Sequence, residues 1–204
     1  MLRKLLSFLV RWIGILCVPG GALWALSPTG VYISNFAFHT PNVFWKMFWP
    51  APLLMLLGLI GLQLRQSERS GFLEKIGVLV AAVGLVMVMA GDIGLYWLGI
   101  DDMFIVTAPA YHTFRIGLIV LAVGSMIFAV TSPRGALPSW GLLPFVLGSL
   151  CGLVSFSSDL GTFGAALWIL FGVGWAWLGL SLAVEGVTSF LRKRRSSTTA
   201  AANS

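Results

Sequence analysis

The basic residues of this chain gather in alternate gaps between its apolar runs. Arg3, Lys4, Arg11, Arg65, Arg69, Lys75, Arg134, Arg192, Lys193, Arg194 and Arg195 fall to one face of a six-pass membrane reading, and only Lys46 and Arg115 fall to the other. Cytoplasmic loops collect Lys and Arg, so this asymmetry sets helix number and orientation together. The expected architecture is all-α: a polytopic integral membrane bundle of six transmembrane helices with both termini cytoplasmic.

Composition agrees. Only 10% of the 204 residues are charged and 58% are hydrophobic, with a mean hydropathy of +0.93. A soluble domain carries about 25% charged residues, so lipid is the solvent this surface suits. Six helices of about 20 residues use roughly 120 positions and leave short connections. One multi-pass domain of the cell membrane is expected. A net charge of +6 would suggest nucleic acid for a soluble chain; here the charge is the topology signal itself, and no nucleic-acid partner is expected. Arg192 to Arg195 follow an apolar run and read as a stop-transfer anchor.

Helices are expected at about 5–26, 45–64, 72–98, 109–130, 140–156 and 162–191, forming one domain over 1–191. The remainder, 192–204, reads as a basic and then Ser/Thr/Ala-rich disordered cytoplasmic tail. The first helix ends before Ser27-Pro28-Thr29-Gly30, a turn-like cluster. It resembles a signal peptide in outline, but Arg11 interrupts the apolar stretch and no small-x-small site precedes Ser27, so a retained helix is expected. The aromatic, proline-broken stretch from Val31 to Pro52 reads as an external loop lying in the headgroup region. Helix five is barely long enough to span, yet removing it alone would put the basic tail outside.

Small residues mark the packing faces. Helix six carries Ala165, Trp168, Gly172, Trp175, Gly179, Leu182 and Gly186 on one face. Helix five has Gly148 and Gly152, and helix three has Gly77, Ala81 and Gly84. Glycines admit close backbone approach. These are expected seams of the bundle, with the Gly172/Gly179 face the one through which a homo-oligomer or larger membrane complex would form. The runs Ile76–Gly84 and Ile116–Gly124 resemble one another without a third copy, as apolar helices often do.

Ionisable groups inside apolar helices face a partner, a cavity or water. Arg11 and Glu185 sit at matched depth near the cytoplasmic edge and are expected to form a structural ion pair between helices one and six. Asp92 and Arg115 flank the outer end of the helix three–four hairpin as a second couple. Tyr96, four residues after Asp92, shares its face. Asp92, Tyr96 and Arg115 make the candidate polar binding site. The two histidines, His39 and His112, both external, would with Asp159 supply imidazole and carboxylate for a metal, although no ligand-like spacing supports this. Cys17 and Cys151 lie in apolar runs and form no metal or redox motif. No cofactor is expected, no catalytic residue is identified, and nucleotide-binding loops and nucleophile elbows are absent.

The functional expectation is a non-catalytic membrane subunit, scaffold or lipid/small-molecule binder, partnered by the lipid bilayer. A small-solute or proton-coupled transporter using Asp92 and Arg115 is the alternative. A membrane enzyme with an external His39/His112/carboxylate site is the second.

Overall fold

The computed structural model describes the backbone of residues 14–37, 46, 48–66, 71–98, 109–132, 139–157 and 161–202, and side chains at 15–27, 46, 48–64, 71–98, 109–132, 143–157 and 163–184. These residues form six helices: α1 (Cys17–Ala37, entered through a 3-10 turn at Gly14–Leu16), α2 (Pro50–Gln66), α3 (Phe72–Tyr96), α4 (Pro109–Thr131), α5 (Ser139–Ser157) and α6 (Gly161–Ala202). Pro50 and Pro109 open α2 and α4 at the first helical position, where the missing N–H is no loss. Three helices are long and apolar enough to cross a membrane: α3, α4 and the Phe163–Val184 part of α6.

Two boundaries differ from those expected. The first helix does not end at Leu26 but continues through Pro28 and Gly30 to Ala37. Proline removes a single donor, and the remaining backbone groups of the segment can still bond within the helix. The tail expected to be disordered from Arg192 is helical as far as Ala202. Alanine, arginine and lysine are good helix formers, and extending a formed helix adds one hydrogen bond for each residue fixed.

Each helix packs on its neighbours in sequence, and α6 closes the ring against α1. The closest seam joins α3 to α4. A Cβ placed on Gly77 would sit 2.6 Å from the Phe128 backbone nitrogen, and one on Gly91 would sit 2.6 Å from that of Phe114. Between them Gly84 meets Leu121, while Gly117 meets Val88 and Gly124 meets Ala81. Rising numbers on α3 meet falling numbers on α4, so the pair is antiparallel. Glycine alternates from one helix to the other along the seam, and each faces a larger residue. The likeness between Ile76–Gly84 and Ile116–Gly124 is therefore the two sides of one interface: both runs carry glycines seven residues apart because each supplies half of the holes.

A second antiparallel seam joins α1 to α6. Gly172 lies against Ala25 and Gly21, and Gly179 against Val18 and Cys17. The face expected to receive a second copy of the chain is thus occupied by α1, because the small residues at Gly21 and Ala25 complement the glycines of α6 within one molecule. The α5–α6 contact is built the same way, with Gly148 against Gly174 and Gly152 against Phe171.

The ring's centre is filled with aromatic side chains. Trp24 of α1 lies 4.8 Å from Phe48 and 5.6 Å from Trp168, which stacks in turn on Phe114 at 6.3 Å and meets Phe156 edge-on at 5.0 Å. The chain of rings runs on through Phe171 and Trp175 to Phe145 and Phe128. Aromatic pairs of this kind contribute about 0.5–1.5 kcal/mol each beyond buried area. Outward, the helices present apolar rows instead of charge: Leu57, Ile60 and Leu64 on α2, Leu79, Val83 and Val86 on α3, Leu143, Leu147, Leu150 and Val154 on α5, and Val173, Trp177, Leu180 and Val184 on α6. A helix apolar on both faces, inside a bundle of this size, suits lipid.

Two expectations follow. Gly84→Leu should destabilise the protein by about 3 kcal/mol, the upper end for overpacking, because the new side chain meets backbone. Val83→Leu, on the outward face, should leave the melting temperature in detergent nearly unchanged. In a Cys151→Ser background, Gly179→Cys should join Cys17 in an intrachain disulfide on mild oxidation. A disulfide-linked dimer in place of that product would contradict the α1–α6 seam.

Candidate functional site

Asp92 lies in the last two turns of α3, one residue after the seam glycine Gly91, and so about 100° further round the helix. That rotation takes it off the line of seam glycines, yet its side chain remains fully buried. Val78, Leu85 and Asp92 recur at intervals of seven, and all three are buried; the acid occupies a place that the two preceding repeats give to aliphatic residues. Asp92 is 0% exposed, and neither carboxylate oxygen has a hydrogen-bond partner. Tyr96, one turn on, lies within electrostatic reach of both Asp92 and Tyr111 of α4. Beyond it, the Trp97 indole N–H donates to the Lys46 carbonyl at 3.2 Å, tying the end of α3 to the approach to α2.

Arg115 does not complete this group. Its side chain is exposed, whereas Asp92 is sealed, so the expected Asp92–Arg115 couple is not formed. The reason is reach. Arg115 follows Phe114, which occupies the inward position, and its long stem carries the guanidinium to the surface. The short Asp92 side chain has no such freedom. Asp92 and Tyr96 therefore stand together, and Arg115 stands apart.

His112 is exposed on the first turn of α4, its ring 5.9 Å from that of Tyr111. His39 and Asp159 lie outside the described residues. Among the described residues no three His, Cys, Asp or Glu side chains converge as metal ligands would. Arg11 also lies outside them, as does the side chain of Glu185. The helices that would carry that pair, α1 and α6, do pack antiparallel against each other.

A polar contact not anticipated lies at the opposite end of the bundle. Glu74, in the first turn of α3, is 0% exposed, and the Ser132 hydroxyl at the end of α4 donates to its Oε1 at 3.5 Å. The sequence presents Glu74 as one more loop charge beside Lys75. The signal that separates it from Lys75 is helical phase. Glu74 and Asp92 are eighteen positions apart, about five turns, which places both on the inward face of α3 and about 27 Å apart along its axis. The α3 helix thus carries a buried acid at each end of an apolar row. Glu74 is anchored by Ser132 and Asp92 is not.

Comparison with protein-family models, with curated proteins and with solved structures finds no match to this chain.

Because Asp92 and Arg115 do not touch, the stability effects of Asp92→Asn and Arg115→Gln should add to within about 0.5 kcal/mol in a double-mutant cycle. A coupling well above that value would restore the ion pair.

Proposed function

We propose that this chain is a non-catalytic, six-pass protein of the cell membrane, with both termini in the cytoplasm, serving as a membrane subunit or scaffold. The observation that carries the reading is the filled ring. Aromatic side chains from α1, α4, α5 and α6, with Phe48 at the approach to α2, occupy its centre. The α3–α4 and α1–α6 seams close backbone against backbone. A substrate path between α3 and α4 would need room that a single added Cβ already exceeds.

Helix direction and charge support this topology. The seams run antiparallel, α1 against α6 included, as an even number of alternating passes requires. Eleven of the thirteen basic residues then share one side. Helix α2, with 17 residues, is at the lower limit for crossing the hydrocarbon core. The outward apolar rows supply the lipid-facing surface, and a larger complex would assemble through one of these outward faces, since Gly172 and Gly179 are engaged by α1.

The transport alternative keeps one support, the unpartnered Asp92, but loses Arg115 as its counter-ion. The enzyme alternative keeps His112 alone among the described residues, exposed and without a carboxylate partner in any converging group.

Single cysteines in a Cys17→Ser/Cys151→Ser background test the proposal. On intact cells a membrane-impermeant maleimide should label Asp101→Cys and Ser158→Cys, whereas Glu68→Cys, Gly135→Cys and Ser197→Cys should react only after permeabilisation. Ser125→Cys, at a fully buried position of α4, should resist small hydrophilic thiol reagents in the folded protein. Rapid modification there would reveal a water-filled cleft and return the transport reading.

A further inference from the structure

The buried polar groups of the bundle divide into those the fold has satisfied and those it has not. Ser149 and Ser181 donate to carbonyls of their own helices, Phe145 and Leu178. Glu74 is half satisfied: its Oε1 accepts from Ser132, while its Oε2 is buried without a partner. Asp92 is different: among the described residues it is the carboxylate with both oxygens buried and both unpartnered. As a structural element it contributes no hydrogen bond, and it holds a place in an apolar row that leucine or valine would fill at lower cost. An ionised carboxylate without counter-ion or donor is costly in such surroundings, and a group so placed takes up a proton instead.

We propose that Asp92 is a proton-binding site: a carboxylic acid in the closed bundle that takes up and releases its proton through the Tyr96–Tyr111 end. The surrounding groups define that route. On α3 the next ionisable side chain toward the bundle end is Tyr96, and in the other direction none occurs before Lys75 and Glu74. On α4 Tyr111 lies within electrostatic reach of Tyr96, while His112 and Arg115 are exposed at the same end. The α2 side chains from Pro50 to Leu64 include no ionisable residue. Behind Asp92, Val88 and Leu85 are buried, and Phe114 closes over Gly91, so the apolar row blocks passage toward the opposite end. Tyrosine hydroxyls both donate and accept, which suits them to hand a proton between Asp92 and water. The site does not depend on the scaffold reading, since a protonatable acid would equally serve a transporter. It gives the bundle a group whose charge state responds to the external side.

Infrared spectroscopy of the full-length protein in lipid nanodiscs, titrated from acid to alkaline pH, tests this directly. At neutral pH the spectrum should contain a carboxylic-acid C=O stretch that disappears on alkalinisation, is missing from Asp92→Asn and survives in Glu74→Gln. After a pH jump, Tyr96→Phe should slow the loss of the band, and Glu74→Gln should not. Asp92→Asn is close to isosteric and is expected to fold, with circular dichroism and melting temperature as the check. Absence of the acid band at neutral pH in the unaltered protein would overturn the proposal. So would its persistence in Asp92→Asn, or a rate of loss indifferent to Tyr96→Phe.

Discussion

Lipid tails are as apolar as leucine, so a helix surrounded by them gains little by exchanging them for another helix. What holds helices together in that solvent is closeness: backbones brought near enough for many weak contacts and for shape to matter. In this protein that constraint is met by glycine. Along α3 and α4 each glycine faces a larger residue on the partner, first on one helix and then on the other. The arrangement recurs between α1 and α6, where glycines meet the backbone of the opposite helix. Because α6 closes on α1, the ring has no loose end, and every other feature of the interior is set by how tightly these seams draw it in.

Inside the ring the space left by the glycine seams is taken up by large rings. Trp24, Phe48, Phe114, Phe156, Trp168 and Phe171 form one continuous group near the end of the bundle where α3 finishes and α4 begins. The partition between glycine and aromatic is economical. Small residues sit where helices touch, and large ones where six helices cannot all touch at once. The polar groups that remain are therefore conspicuous. Glu74 and Asp92 share the inward face of α3, but one is tethered to Ser132 and the other stands unpartnered.

Much of this was legible from residue order. The α2, α3, α4 and α5 helices begin and end within a few residues of the expected boundaries, because proline and glycine interrupt apolar runs at those points. The seam glycines of α3, α5 and α6 were recognisable from spacing, and Asp92 was recognisable as an acid where an acid is costly. The differences have separate causes. Pro28 and Gly30 look like a stop signal, yet α1 runs through them to Ala37. Arg115 looked like the partner of Asp92 because both lie near the same connection, but distance along two helices says nothing about whether a long side chain turns inward or leaves for the surface. Glu74 stands beside Lys75 among the charges of the preceding connection, and its burial shows only once α4 and Ser132 are packed against it.

Residue order alone determined the helical class, the run of apolar segments and the grouping of positive charge, since each depends on local composition and on the solvent a segment prefers. The tertiary structure decided which glycine face meets which. It gave the Gly172/Gly179 face to α1 in place of a second copy, and it separated Asp92 from Arg115. Pairing is a property of two surfaces in three dimensions, and a helix written as a line of residues carries its faces without saying what stands opposite them.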